Sequence, residues 1–374
     1  MLKLSFYIGI VSVIVCAGFF QSWPQESGSK QDRRVEDYSG RKFVSPADFS
    51  GKEFGSTAKF NDARFFNVAD FESAIFHNVD FTRTRFDTFA NFLDAKSFGK
   101  ADFTYTEFRA KLDLSHAEFH RSTQFRRTEF DTTDFAYAEF DTVKVLDANF
   151  SKTTRFVGTK FQKPALFYGS TFHGKTNFRA NHFADRATFI GNEFKGVADF
   201  YNSSFDSTVS FRNTHFYDKV TFGFGKFRGR VEFHTTCFDT LADFNLRSFL
   251  GPVDFDSTIF KDQATFKYTK FDSSVRFKDA HFRNRADFSY TQFQDDVIFN
   301  SRISSKIGFQ YAAFNGAVDF RHATLDEEGD LDFSSSFFVD TLFVGGNGIQ
   351  RFDLRAIKLL PQGSFRVTLD SLRV

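Results

Sequence analysis

Phenylalanine recurs along this chain at alternating steps of five and six residues. One row repeats every eleven residues: Phe156, Phe167, Phe178, Phe189, Phe200 and onward through Phe277 and Phe288 to Phe299. A second row lies five residues later: Phe161, Phe172, Phe183, Phe194, Phe205 and onward through Phe282 to Phe293. Thirteen periods pass without a substitution. Two residues before each first-row Phe, from Phe167 on, stands a small or β-branched residue, for example Ala165, Thr176, Ala198, Val209 and Val297. The residue between is mostly polar, as at Asp199, Glu232, Asp243, Asp254 and Asp287. This is the period-two pattern of a short strand with one side buried. It places the Phe inside and the intervening carboxylates outside.

An eleven-residue period also fits three turns of a slightly underwound helix. The angles exclude it. Five residues advance about 500°, or ~140° around a helix, so the two Phe rows would face nearly opposite sides. No single apolar stripe would form. The intervening Thr, Asp, Asn, Ser and Gly are also poor in helix interiors. A solenoid of short strands remains.

Units such as ADFSYTQF (286–293), ADFYNSSF (198–205), ADFTYTEF (101–108) and TDFAYAEF (133–140) resemble pentapeptide-repeat proteins of the Phe-centred variety. The resemblance runs from about Phe43 to about Phe320. It implies an all-β, right-handed quadrilateral β-helix with four short sides per coil, in which Phe277, Phe282, Phe288 and Phe293 make one coil and Phe299 stacks on Phe277. Every second side here has six residues instead of five, so a coil of about 22 residues is expected, with extra length at alternate corners. About 14 coils would make a rod of roughly 65 Å at ~4.8 Å per coil. Such a stack folds cooperatively, because a lone coil lacks neighbours to cover its faces.

The rhythm slips in three places. Two successive five-residue gaps lead to Phe81 and Phe86, within a loose stretch over 81–98. Between 143 and 150, Val145 or Leu146 is the inward candidate. Near 300–309 one Phe is missing, and Ile303 or Ile307 is expected to fill in. Leu114 replaces Phe at one further site.

At the N-terminus, Lys3 precedes 17 uncharged residues from Leu4 to Phe20, and a polar stretch follows. This reads as a secretory signal, with cleavage after Ala17, or as an uncleaved anchor at the lower limit for a bilayer span. Bulky Val15 argues against Cys16 as a lipidation site. The expected organisation is a signal or anchor at 1–22, a polar linker at 23–42 and the repeat solenoid at 43–325. Terminal coils and a cap follow at 326–374. The resemblance adds a possible homodimer through the C-terminal end.

Composition narrows the function. Phe makes up 61 of 374 residues, against one Met and one Trp. The 48 basic and 47 acidic residues nearly cancel. Nucleic acid is not an expected partner at that balance. Two cysteines, Cys16 and Cys237, cannot build a disulfide framework, and Cys237 is placed outward as an incidental free thiol.

No glycine-rich phosphate loop, zinc spacing or nucleophile elbow is present. His182, His215 and His281 each precede a Phe, but their separations of 33 and 66 residues prevent them from sharing a metal. Asp199, Asp243 and Asp287 recur every 44 residues on one side, two coils apart. At ~10 Å they are too far apart to act as a catalytic pair. Lys160, His182, Lys226 and Lys270 form a mildly basic column on another side.

No catalytic, cofactor or metal site is therefore expected. The expected role is a non-enzymatic scaffold, extracytoplasmic (periplasmic or secreted) or membrane-anchored, presenting flat faces to an unknown protein or envelope component. The alternative implied by the resemblance is a DNA-mimic binder of a topoisomerase. A polysaccharide-cleaving solenoid would need carboxylates clustered on adjacent coils, which these columns do not supply.

Overall fold

The computed structural model describes residues 34–345, 352–353, 357–359 and 364–368. Most strands are only two residues long, such as Ala198–Asp199 and Ser204–Phe205. Each side of a coil provides one inward–outward pair before the chain turns. A strand this short is stable only as a rung of a ladder, and every strand pairs in parallel with its equivalent one coil away. Ala198, Val220, Ala242, Ala264 and Ala286 lie in direct register. The fold is the expected all-strand solenoid of about 14 turns and about 22 residues per coil, with a stacked Phe core.

Four columns of strands form the walls, met in chain order. They are a valine wall (Val209, Val231, Val253, Val275), a histidine wall (His215, Cys237, Ile259, His281), an alanine wall (Ala198 to Ala286) and a lysine wall (Lys160, His182, Lys226, Lys270). The histidine and alanine walls are separate sheets of 14 and 15 strands. The lysine and valine walls merge into one sheet of 28, because Glu118–Arg126 and Glu139–Leu146 run unbroken around their shared corner.

The Phe rings fill the interior in two geometries. Between coils they stack face to face: Phe178 and Phe200 have centroids 4.8 Å apart at 1°. Across a coil the two first-row columns meet edge to face, as Phe200 meets Phe211 at 5.4 Å and 84°. Both arrangements suit the ring quadrupole. All fifteen core Phe named from the sequence are buried.

Two residues after each first-row Phe from Phe156 to Phe288 the backbone enters the left-handed region, as at Asn202 (φ 57°), Asn213 (55°) and Asp279 (57°). The Ser203 amide closes this turn onto the Phe200 carbonyl at 3.2 Å. The next residue points inward, and where it is Ser or Thr its hydroxyl serves the preceding coil. Thr258, Thr269 and Thr291 donate Oγ1 to the carbonyls of Phe233, Phe244 and Phe266 at 2.7–2.8 Å.

The slips have simple causes. The corner at 77–80 is one residue short, so Ala58 pairs Val79 after 21 residues instead of 22. Ser97 then takes a Phe position, and Phe98 lies exposed on the outside. Val145 is the inward residue near 143–150, and the register shift lies between Phe119 and Ser122. Near 300, the lost residue belongs to a turn: the Ser301 amide bonds Phe299 O directly. Ile303 consequently takes the Phe slot opposite Phe282, while Ile307 takes the small-residue slot opposite Ala286. Phe299 still covers Phe277 at 4.7 Å, but tilts by 39° and turns parallel to Phe282 over the smaller Ile303.

In the alanine wall the small position is Thr at 133 and 154, where the hydroxyls are buried without a hydrogen-bond partner. Thr133→Val and Thr154→Val keep the shape and remove this defect. Each is expected to raise stability by about 1 kcal/mol. A denaturant melt with an unchanged or lower midpoint would contradict this.

The stack begins earlier than the linker boundary at 42 implies. Val35–Asp37 pairs with Thr57–Lys59, and Tyr38 stacks on Phe60 at 4.8 Å, acting as the first rung's aromatic. Toward the other end, Thr341–Gly345 pairs with Ser364–Thr368, continuing the ladder past 326. The signal or anchor at 1–22 and the extreme C-terminus lie outside the described residues. Among the described residues no helix is long and apolar enough to cross a membrane.

Candidate interaction faces

The two charged columns foreseen from spacing exist as columns. Asp199 pairs in register with Thr221, then Asp243, Thr265 and Asp287. Their charge is largely matched. Arg179 lies 3.5 Å from Asp199, and Lys267 lies 3.0 Å from Asp287. Asp287 is not the outward carboxylate that alternation implies. It is only 3% exposed, covered by Lys267, Arg285 and Ser289. Burial alone would raise its pKa, but the Ser289 hydroxyl and amide and the Lys267 ammonium outweigh this and hold it below the ordinary value. In the basic column, Lys160 lies 3.6 Å from Glu139, Lys270 lies 2.7 Å from Asp272, and His182 bonds Asp206 at 2.8 Å. Neither column is a bare stripe of one charge.

A different column stands out. The left-handed corner residues next to the alanine wall run Phe224, Leu246, Tyr268, Tyr290 and Tyr311. They are 44–55% exposed. Tyr268 stacks on Tyr290 at 4.8 Å, and Tyr290 on Tyr311 at 5.0 Å. The left-handed conformation disfavours residues with a Cβ by roughly 1–2 kcal/mol and favours Gly, Asn and Asp. Between 147 and 279 the opposite corner meets that preference at Asp147, Gly169, Gly191, Asn213 and Asp279 and otherwise holds the smaller polar Thr235 and Ser257. One corner thus accepts backbone strain to hold five large apolar or aromatic side chains in solvent. Sequence reasoning missed this ridge because the inward Phe dominate the count. The signal was present at a spacing of 22 from Phe224 to Tyr290, two residues after alternate first-row Phe, and of 21 onward to Tyr311.

The histidine wall holds a second grouping that the separations between histidines did not reveal. His215 pairs in register with Cys237, and Asp239 follows at the corner. Asp239 Oδ1 lies 2.8 Å from His215 Nε2, 3.3 Å from Cys237 Sγ and 2.8 Å from Lys261 Nζ. Tyr217 stacks on the His215 ring at 3.7 Å. Cys237 faces outward but is half-buried. Burial, with the Asp239 carboxylate beside it, pushes its thiol up to about 11. His281 lies three coils from His215 on the same wall, and His182 lies on the lysine wall, so the three histidines do not converge.

Residues 255–301 match the family model for pentapeptide repeats, nine copies. No curated protein matches the chain. Among solved structures, two trypsin-treated variants of QnrB1, a plasmid-mediated fluoroquinolone resistance protein, align at 14% identity. They cover 84% and 86% of this chain and 91% and 89% of theirs, with TM-scores of 0.12 and 0.13. At those scores the superposition adds nothing to the coil geometry. Over the matched residues the chain is similar to pentapeptide-repeat proteins, and the same Phe-centred coils continue on either side of them.

Proposed function

We propose that the protein is a non-enzymatic scaffold, held outside the cytoplasm by secretion or by its N-terminal segment, whose rigid walls dock a protein partner. The ridge of Phe224, Leu246, Tyr268, Tyr290 and Tyr311 carries this reading. Solvent-exposed aromatic and aliphatic groups in strained backbone give the free rod no packing advantage, and aromatic anchors dominate protein interfaces. Pentapeptide-repeat solenoids are generally non-catalytic, in keeping with a docking role.

The test compares proximity labelling in the native compartment for the wild type and for Leu246→Ser/Tyr268→Ser/Tyr290→Ser. Labelling of a defined partner is expected to fall by at least about tenfold in the variant, as when interface hot spots are removed. An identical labelling profile would remove the ridge as the docking surface. Fractionation tests the location: a soluble cytosolic pool retaining residues 1–20 would overturn export.

The alternative is mimicry of duplex DNA for a topoisomerase. It requires a continuous, uncompensated acidic face. Here Thr221 and Thr265 interrupt the acidic column, and Asp199 and Asp287 have basic partners.

A further inference from the structure

The His215, Cys237 and Asp239 grouping joins three chemically different donors from two adjacent coils. The Nε2, Sγ and carboxylate oxygen atoms all lie within 4.8 Å of one another. Register explains the convergence. In this wall, outward residues 22 apart are stacked neighbours, and the residue two positions further on points back across the same corner. A single carboxylate oxygen, Asp239 Oδ1, collects His215, Cys237 and Lys261. The Tyr217 ring fixes the plane of the imidazole.

The chain contains its own comparison. His182, Ser204 and Asp206 repeat the arrangement on the lysine wall with the same separations of 22 and 24 residues. His182 bonds Asp206 at 2.8 Å, as His215 bonds Asp239. The chemical difference is the middle residue, Ser in one and Cys in the other. A His–Asp pair across a corner is thus a structural feature of this solenoid, and Cys237 turns one copy into a set with nitrogen, sulfur and oxygen donors.

We propose that His215, Cys237 and Asp239 bind one divalent transition-metal ion, with Zn²⁺ the best match to the donors. Imidazole, thiolate and carboxylate are the ligand types of tetrahedral zinc, and three protein ligands leave a fourth position for water or a partner's donor. On binding, His215 takes the tautomer with its proton on Nδ1, freeing the Nε2 lone pair for the metal, and Cys237 releases its thiol proton to solvent and donates through sulfur. Lys261 gives up its contact with the coordinating oxygen of Asp239, so it opposes the metal. The proposal is independent of the apolar ridge.

The test is a Co²⁺ titration of the full-length, chelator-treated protein, followed by competition with Zn²⁺. One thiolate-to-cobalt charge-transfer band per chain is expected, bleached by Zn²⁺. Cys237→Ser should abolish the band. His215→Gln should weaken binding by at least about tenfold, the lower end of what even supporting residues contribute to metal sites. Lys261→Met should tighten it, and His182→Gln should leave it unchanged. Absence of the band in the wild type would overturn the site. So would a band that survives Cys237→Ser, or a titration curve unaltered by His215→Gln.

Discussion

Phe200→Asp is expected to abolish the single cooperative unfolding transition. Phe200 is fully buried, stacked between Phe178 at 4.8 Å and Phe222 at 5.1 Å and edge-on to Phe189 and Phe211 at 5.4 Å each. Losing a buried Phe costs about 3–5 kcal/mol through lost burial and the cavity left behind. An unpaired carboxylate in its place adds several kcal/mol more. Whole domains are stable by about 5–15 kcal/mol, so the substitution consumes most of that margin. In a linear stack, failure of one rung separates the coils on either side, because each coil touches only its neighbours. Thermal and denaturant melts should therefore become two-phase or lose their transition. Phe200→Leu should retain one transition with a lowered midpoint. A Phe200→Asp protein melting like the wild type would mean that this column does not hold the coils together.

Arg247→Thr is expected to stabilise the protein. Arg247 occupies the inward position that Thr236, Thr258 and Thr269 fill in neighbouring turns, and it is fully buried. Among the described residues no acidic group pairs with it. Its Nη1 donates to the carbonyls of Phe222, at 2.9 Å, and Phe224, while Nε and Nη2 are buried without partners. The guanidinium lies over the Phe227 ring at 3.8 Å. Room for it comes from Gly225, where a Cβ would meet Arg247 Nη1 at 2.9 Å and the Ser203 carbonyl at 2.4 Å. Burial lowers its pKa to about 9.

The sign of the pH dependence follows. Above about pH 9 and below the ordinary arginine range, the unfolded chain holds a proton that the folded chain releases, so stability rises with pH there. At neutral pH both states are charged and the full burial penalty applies. The ring contact and hydrogen bonds offset part of it. Thr restores the regular bond to Phe222 O and removes the charge, with an expected gain of about 1–4 kcal/mol, the range for replacing buried charges with neutral groups. The advantage of Arg247→Thr should shrink as pH rises from 8 to 10. A variant less stable than the wild type at pH 7 would show that the contacts of Arg247 outweigh its burial.

Much of the fold was legible because the repeat is redundant. One misread residue among thirteen regular periods changes nothing, and the pairing of Ala198 with Phe200 or Val275 with Phe277 identifies an inward face by alternation alone. The same redundancy placed Asp199, Asp243 and Asp287 in one column, and Lys160, Lys226 and Lys270 in another. It failed for Asp287, whose burial depends on Lys267 and Arg285 folding over it from neighbouring positions. It also failed to foresee Val35–Asp37, because a first coil needs no Phe where Tyr38 stacks equally well on Phe60.

Period and alternation specify the length of each side and which face of each strand is buried, since these depend on local spacing and on removing Phe from water; the four-walled coil is what the resemblance to pentapeptide repeats added. Three-dimensional closure of the coil decides which outward residues become neighbours. It brings residues 22 apart together at about one strand spacing, 4.7–4.9 Å. His215 thereby meets Cys237 and Asp239, and Tyr268, Tyr290 and Tyr311 become a continuous stack. It also turns a single Arg among threonines into a buried charge, because only the turn geometry points residue 247 inward.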